Sequence, residues 1–138
     1  MAMALADMRR EVQKSRALSH PNIVRIHDLV MQAGEDPLIS LEYVDGTDLT
    51  AIAATKTNGI FCWSDIKDWV LQLVAALEYA HEEKIVHRDL KPGNIMINRN
   101  SRLKLADFGI AATVADVTQR LTSEKNYIEG TKFYMSPQ

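Results

Sequence analysis

Apolar residues in the first stretch of the chain fall three or four positions apart. Leu5, Met8, Val12 and Leu18 predict a helix over residues 4–18. Pro21 disfavours helix at His20, so "SHPN" at 19–22 should stop it. From Ile23 to Val30 the pattern shifts to near-alternation, which predicts a strand. "AGEDP" has turn composition, and "LISLEYV" at 38–44 predicts a second strand, ended by "DGTD". A short helix is expected over 48–54. Ser64 is a candidate N-cap for a long helix running to about Glu83. Its apolar residues Ile66, Trp69, Val70, Leu73, Val74 and Leu77 predict one buried face. "IVHRDLKPGNIMI" at 85–97 reads as strand, tight loop, strand, and a further short strand is expected over 103–106. Beyond Asp107 the pattern becomes irregular and polar.

Composition narrows this picture only slightly. The chain has 138 residues, 46% hydrophobic and 25% charged, which fits one globular domain or part of one. A formal net charge of -2 gives no electrostatic basis for binding nucleic acid. A single cysteine, Cys62, cannot form an internal disulfide and suits a reducing, cytoplasmic setting. "MAMALADMRR" lacks a basic leader before a long apolar run, so no signal peptide is expected. "WVLQLVAALEYAHEE" is interrupted by Gln72 and Glu78, so no membrane segment is expected in this chain; a longer parent could still be membrane-anchored.

The loop at 87–94 changes the picture. It sets His, Arg, Asp, Lys and Asn side by side between apolar flanks, a set that solubility alone does not require. Phosphoryl transfer calls for a carboxylate to accept the proton of an attacking hydroxyl, oxygen ligands for Mg²⁺, and a cation near the moving phosphoryl group. Asp89 can be the carboxylate. Lys91, two positions on in an extended segment, can point the same way and supply the cation. Asn94 and Asp107 are hard oxygen donors suited to Mg²⁺, and a hairpin of the strands at 95–97 and 103–106 would bring them together.

These motifs carry a resemblance. "HRDLKPGN" and Asp107-Phe108-Gly109 look like the catalytic loop and metal-binding motif of the eukaryotic-type (Hanks-type) serine/threonine protein kinase superfamily, which includes many bacterial members. The resemblance extends over the whole chain. It implies an α+β, protein-kinase-like fold, present in part: a C-helix with part of the upper-lobe sheet, the hinge, and the first half of the mostly helical lower lobe through the activation segment. Residues 1–44 would be a remnant upper lobe with its hinge strand, and 45–138 the start of the lower lobe. It implies ATP with Mg²⁺ (or Mn²⁺) as cofactors and protein serine or threonine as acceptor. Asp89 would be the base, Lys91 the charge stabiliser, and Asn94 and Asp107 the metal ligands. Leu41 would be the gatekeeper. The Glu42 carbonyl and Val44 backbone would bond adenine, Asp48 would face the ribose, and Met96 would floor the pocket. Glu11 falls at the C-helix glutamate. His87, Phe108, Ile26 and position 15 would form a stacked spine, where Ser15 departs from the usual apolar residue.

"GTKFYMSPQ" resembles the peptide-binding end of the activation segment, with Thr131 bonding Asp89 and Lys91. Arg88 beside Asp89 suggests control by phosphate on the activation segment, with Thr122 and Ser123 preferred over Thr118 and Tyr127. The resemblance also exposes departures. No glycine precedes Gly34 and no lysine precedes Lys14, so the glycine-rich loop and the lysine expected to pair with Glu11 are not in this chain. Gln138 stands where the family usually has glutamate. The expectation is therefore family kinase chemistry in a chain that, by itself, is of marginal stability and impaired, oligomeric or paired with another kinase. Two rival readings stand beside it: a non-catalytic, kinase-derived interaction module, and a small-molecule phosphotransferase of the aminoglycoside-kinase type.

Overall fold

A computed structural model describes residues 2–108, with side chains from Leu5 onward. Gly109, Thr118, Thr122, Ser123, Tyr127, Thr131 and the "GTKFYMSPQ" segment lie outside the described residues.

The helical spacing at the start forms helix α1, Ala2–Arg16. Its inner face carries Met8, Val12 and Ser15, all buried. They sit four and three apart, so they stack on one side of the helix. That side covers a two-stranded antiparallel sheet of β1 (Ile26–Val30) and β2 (Leu38–Leu41). Met8 and Val12 pack there against Leu29 and Ile39.

The strand expected from Ile23 is divided in two. Residues 22–24 run parallel to the last strand, with Leu105 N donating to Asn22 O at 2.8 Å and Val24 N to Leu105 O at 2.9 Å. Only Ile26–Val30 joins β2. Alternation in a sequence cannot tell which partner a strand has, and here one apolar run serves two sheets. The second expected strand ends at Leu41, not Val44.

A three-stranded antiparallel sheet follows, in the order β3 (Gly46–Asp48), β4 (Ile95–Asn98), β5 (Leu103–Leu105). Thr47 lies opposite Ile97, and Ile97 opposite Leu103. Gly46 is required by close approach: a Cβ there would collide with the Ile97 carbonyl oxygen. Asp48 caps the short helix α2 (Leu49–Ala54), accepting from Ala51 N at 2.8 Å.

The long helix α3 runs Trp63–Glu82 with Cys62 at its N-cap, so Ser64 lies inside the first turn and is not the cap. Its buried centre also differs from the expected stripe. Ala76 and Ala80 are fully buried, Trp69, Leu73 and Leu77 pack around them, and Val74 is exposed. Small residues let the helix axis come close to β5, and periodicity counts of large residues overlook that. Lys84, in the left-handed region at φ 62, ends the helix, and Ile85 N returns to Ala80 O at 2.9 Å. Residues 85–86 form no strand: Ile85 is half-buried and Val86 exposed. The main core gathers Leu18, Ile23, Ala76, Ala80, Ile95, Ile97, Leu103, Leu105 and Phe108. No described helix is long and apolar enough to cross a membrane.

Candidate active site

The site is built on the mouth of the β4–β5 hairpin and the loop that enters it. Asn98 closes the far end, its Oδ1 accepting from the amides of Asn100 and Arg102 at 2.9 Å each. At the near end Ala106 N donates to Asn94 O at 2.8 Å. One pairing step beyond Ile95–Leu105, the chain therefore sets Asn94 beside Ala106, and Asp107 follows directly. Lys91 is extended (φ -155, ψ 160), and Pro92–Asn94 form a single 3-10 turn closed by Asn94 N to Lys91 O at 2.9 Å. Pro92 at the first position of that turn suits its fixed φ.

Asp89 is 8% exposed and Asn94 5%. Asn94 Nδ2 donates to the Asp89 carbonyl at 2.8 Å and to its Oδ2 at 3.2 Å. Lys91 Nζ lies 3.5 Å from the same Oδ2. The other oxygen, Asp89 Oδ1, is buried and accepts no hydrogen bond among the described residues. A buried carboxylate oxygen left unpaired costs roughly 1–3 kcal/mol or more, and such atoms call for an explanation. Here one oxygen is held and its twin is free to accept.

His87 supports this arrangement through two backbone contacts. Its Nε2 meets Ala106 O, 2.6 Å away, and its Nδ1 accepts from Asp89 N at 3.1 Å. Those partners require the neutral ring with the proton on Nε2. Burial holds its pKa below 6.5, against the pull of the Ala106 carbonyl and of Asp89 and Asp107. The ring also meets Phe108 edge-on, with centroids 4.7 Å apart.

Asp107 stands in the left-handed region at φ 60. Burial pushes its pKa above 3.8, His87 opposes that, the Asp89 charge adds to it, and Lys91 opposes it. This carboxylate is thus desolvated beside a second acid, an environment that a divalent cation relieves. Asn94 commits its NH₂ to Asp89, which turns its carbonyl oxygen, the arm able to ligate, the other way. One amide oxygen and one carboxylate fit Mg²⁺, which keeps waters and takes phosphate oxygens to complete six ligands. Among the described residues no cluster of three His, Cys, Asp or Glu forms a self-sufficient metal site.

The other expected residues are placed as follows. Glu42 N donates to Arg25 O at 2.7 Å, and its carboxylate bonds Lys104 at 3.1 Å, a partner that the sequence reading did not identify. Val44 O accepts from Gly46 N at 3.0 Å. Met96 is half-buried opposite Asp48 and Lys104. Leu41 is exposed at the end of β2. Glu11 pairs with Lys14 at 3.4 Å, one helical turn on. Arg88 is exposed, in the left-handed region at φ 72. Ser15 is 4% exposed, and its hydroxyl donates to the Phe108 carbonyl at 3.3 Å.

Comparison with known proteins places the chain in a family. Residues 2–138 match the family described as "Protein kinase domain". The chain is 39% identical to a protein of Bifidobacterium longum named "Probable serine/threonine-protein kinase PknB", over 97% of this chain and 20% of that protein. It is 39% identical to serine/threonine-protein kinase PknB of Mycobacterium leprae, over 94% of this chain and 21% of that protein. The kinase domain of Mycobacterium tuberculosis PknI is similar in structure, with a TM-score of 0.68 and 34% identity, covering 79% of this chain and 46% of that one. The chain thus spans about a fifth of the length of the curated relatives it matches and under half of that solved kinase domain.

Proposed function

The chain belongs to the protein kinase family, and on that premise we propose that it takes part in transferring the γ-phosphoryl group of ATP to serine or threonine hydroxyls of a protein substrate. The observation that carries this reading is the pair of unlike oxygens on Asp89. Oδ2 is fixed by Asn94 and Lys91, while Oδ1 is buried with no partner among the described residues. An incoming hydroxyl would satisfy Oδ1, and Asp89 would orient that hydroxyl and accept its proton. Lys91, on the same side of the extended segment, would offset charge on the transferred group. Asn94 and Asp107 would hold Mg²⁺ (or Mn²⁺), which supplies charge neutralisation at the phosphates when bound. The Glu42 carbonyl and Val44 backbone would read adenine above Met96. Asp48 would reach the ribose with the oxygen not used to cap α2.

Residues 1–44 would serve as upper lobe and hinge, and 45–138 as the start of the lower lobe. Lys91 and the "GTKFYMSPQ" segment favour a protein acceptor over an amino-sugar. Arg88 would receive a phosphate on Thr122 or Ser123, and Thr131 would bond Asp89 and Lys91. A cytoplasmic setting and pairing with a second kinase complete the proposal. The test supplies the full-length protein with Mg²⁺ and γ-labelled ATP, beside a generic protein substrate and an amino-sugar. Label on protein Ser or Thr, lost in Asp89→Asn, is expected. Label on the amino-sugar alone, or undiminished transfer by Asp89→Asn, contradicts the reading; no label on either acceptor, with stable capture of a partner protein, would make the chain an interaction module.

A further inference from the structure

Asp107 occupies a backbone conformation that L-residues avoid, at a cost of about 1–2 kcal/mol, and such residues persist only where the surroundings hold them. The chain is held on both sides of it, by the peptide directly before and by the carbonyl one peptide further on after. Before it, Ala106 O meets His87 Nε2, 2.6 Å away, and Ala106 N donates to Asn94 O at 2.8 Å. After it, Phe108 O accepts from Ser15 Oγ at 3.3 Å. The first anchor belongs to the catalytic loop. The second comes from α1, 93 residues away in sequence.

Ser15 is a polar residue among apolar neighbours. With Ile26, Asp107 and Phe108 it lines a cavity of about 10 Å³, barely the volume one water needs. A helical serine commonly bonds back to a carbonyl of its own helix; this hydroxyl reaches across instead. The Phe108 carbonyl is thereby satisfied from α1, and the turn of α1 that presents Ser15 also presents Glu11 one turn earlier.

We propose that Ser15 is a positioning residue for the metal-binding carboxylate: its hydroxyl holds the Phe108 carbonyl from α1 and so fixes the chain that follows Asp107. The inference rests on the kinase reading above and adds a contact that an apolar side chain at position 15 cannot make. Removing the hydroxyl breaks this bond and releases the chain on that side of Asp107, which weakens the hold on the metal.

Three variants separate hydroxyl from shape. Ser15→Thr retains the hydroxyl, Ser15→Val has the shape of threonine without it, and Ser15→Ala removes it with least disturbance. The readout is binding of a fluorescent ADP to the full-length protein as Mg²⁺ is titrated, with melting temperature alongside. Ser15→Val and Ser15→Ala should need roughly three- to tenfold more Mg²⁺ for half-maximal tightening, the range expected for one net hydrogen bond, and their nucleotide affinity without Mg²⁺ should be unchanged. Ser15→Thr should behave as wild type. Equal Mg²⁺ dependence in Ser15→Val and Ser15→Thr overturns the inference while leaving the kinase reading standing. Wild-type protein whose nucleotide affinity ignores Mg²⁺ overturns both.

Discussion

Lys104 on β5 and Glu42 just after β2 are 62 residues apart and meet at 3.1 and 3.3 Å through both carboxylate oxygens. Glu42 Oε2 also accepts from Arg25 N at 3.3 Å. One side chain therefore ties the end of the two-stranded sheet, where the adenine contacts are proposed, to the three-stranded sheet beside which the proposed metal ligands lie. The lysine side chain is 15% exposed and the glutamate 31%, so solvent screens the pair only partly. Glu42→Gln and Lys104→Met should each destabilise the protein, and a double-mutant cycle should return a coupling of about 0.5–1.5 kcal/mol. Urea melts of the four proteins measure it.

Asn94 has two tasks, and its loss should show both. Asn94→Ala removes the two hydrogen bonds that hold Asp89 from below, at a cost of about 1–3 kcal/mol in a buried site. It also removes a proposed metal ligand, so phosphoryl transfer should fall by roughly 10²-fold or more. Asn94→Asp should keep a ligand oxygen but place a second carboxylate against Asp89 Oδ2. Its stability should therefore recover as the pH is lowered, which a pH series of melts checks.

Asp107 should trade stability for metal binding. Its folded pKa lies above 3.8, chiefly through burial. Its contribution to stability is then fully present below about 3.8 and is lost as the pH rises through the folded value. At neutral pH the metal-free protein bears that loss. Asp107→Asn should raise the melting temperature at about pH 7 without metal and abolish the further rise that Mg²⁺ with nucleotide produces in the wild type. Thermal melts with and without Mg²⁺ and ADP decide it.

His87 gives the opposite sign. Its folded pKa is below 6.5, chiefly through burial, so its contribution is present above about 6.5 and is lost as the pH falls through the folded value. Protonation would also place an N–H at Nδ1, against the Asp89 N–H. His20 shifts downward too, by burial and then the Lys104 charge. Acid stability should therefore fall in this window in the wild type, and His87→Gln, which keeps a donor and an acceptor but does not titrate, should remove the His87 part of that slope. Melts across the same pH range in both proteins measure it.

The loop at 87–94 was legible because its chemistry is unusual: few buried loops join a carboxylate, a lysine and an amide at such spacing. The hairpin that brings Asn94 to Ala106 was legible from two short apolar runs around "NRNSR". Partnerships were not. Nothing in the alternation of 23–30 shows that Asn22–Val24 bond β5 while Ile26–Val30 bond β2, because strand pairing is decided by distant residues. The burial centre of α3 falls on Ala76 and Ala80, whose small size hides them from a count of large apolar positions. The strand expected at 85–86 failed because Ile85 N is taken by the end of α3. The departure at Ser15 was visible as an oddity, but its partner, a backbone carbonyl 93 residues on, has no side-chain signature.

Asp89, Asn94 and Asp107 are proposed to converge on one metal–nucleotide site. Its most direct measurement is anomalous scattering from crystals of the full-length protein grown with Mn²⁺ and a non-hydrolysable ATP analogue. Manganese bonded to both Asn94 Oδ1 and Asp107, with the terminal phosphate facing Asp89 Oδ1, is the expected result; manganese and nucleotide bound away from these residues, or not bound, would contradict the account.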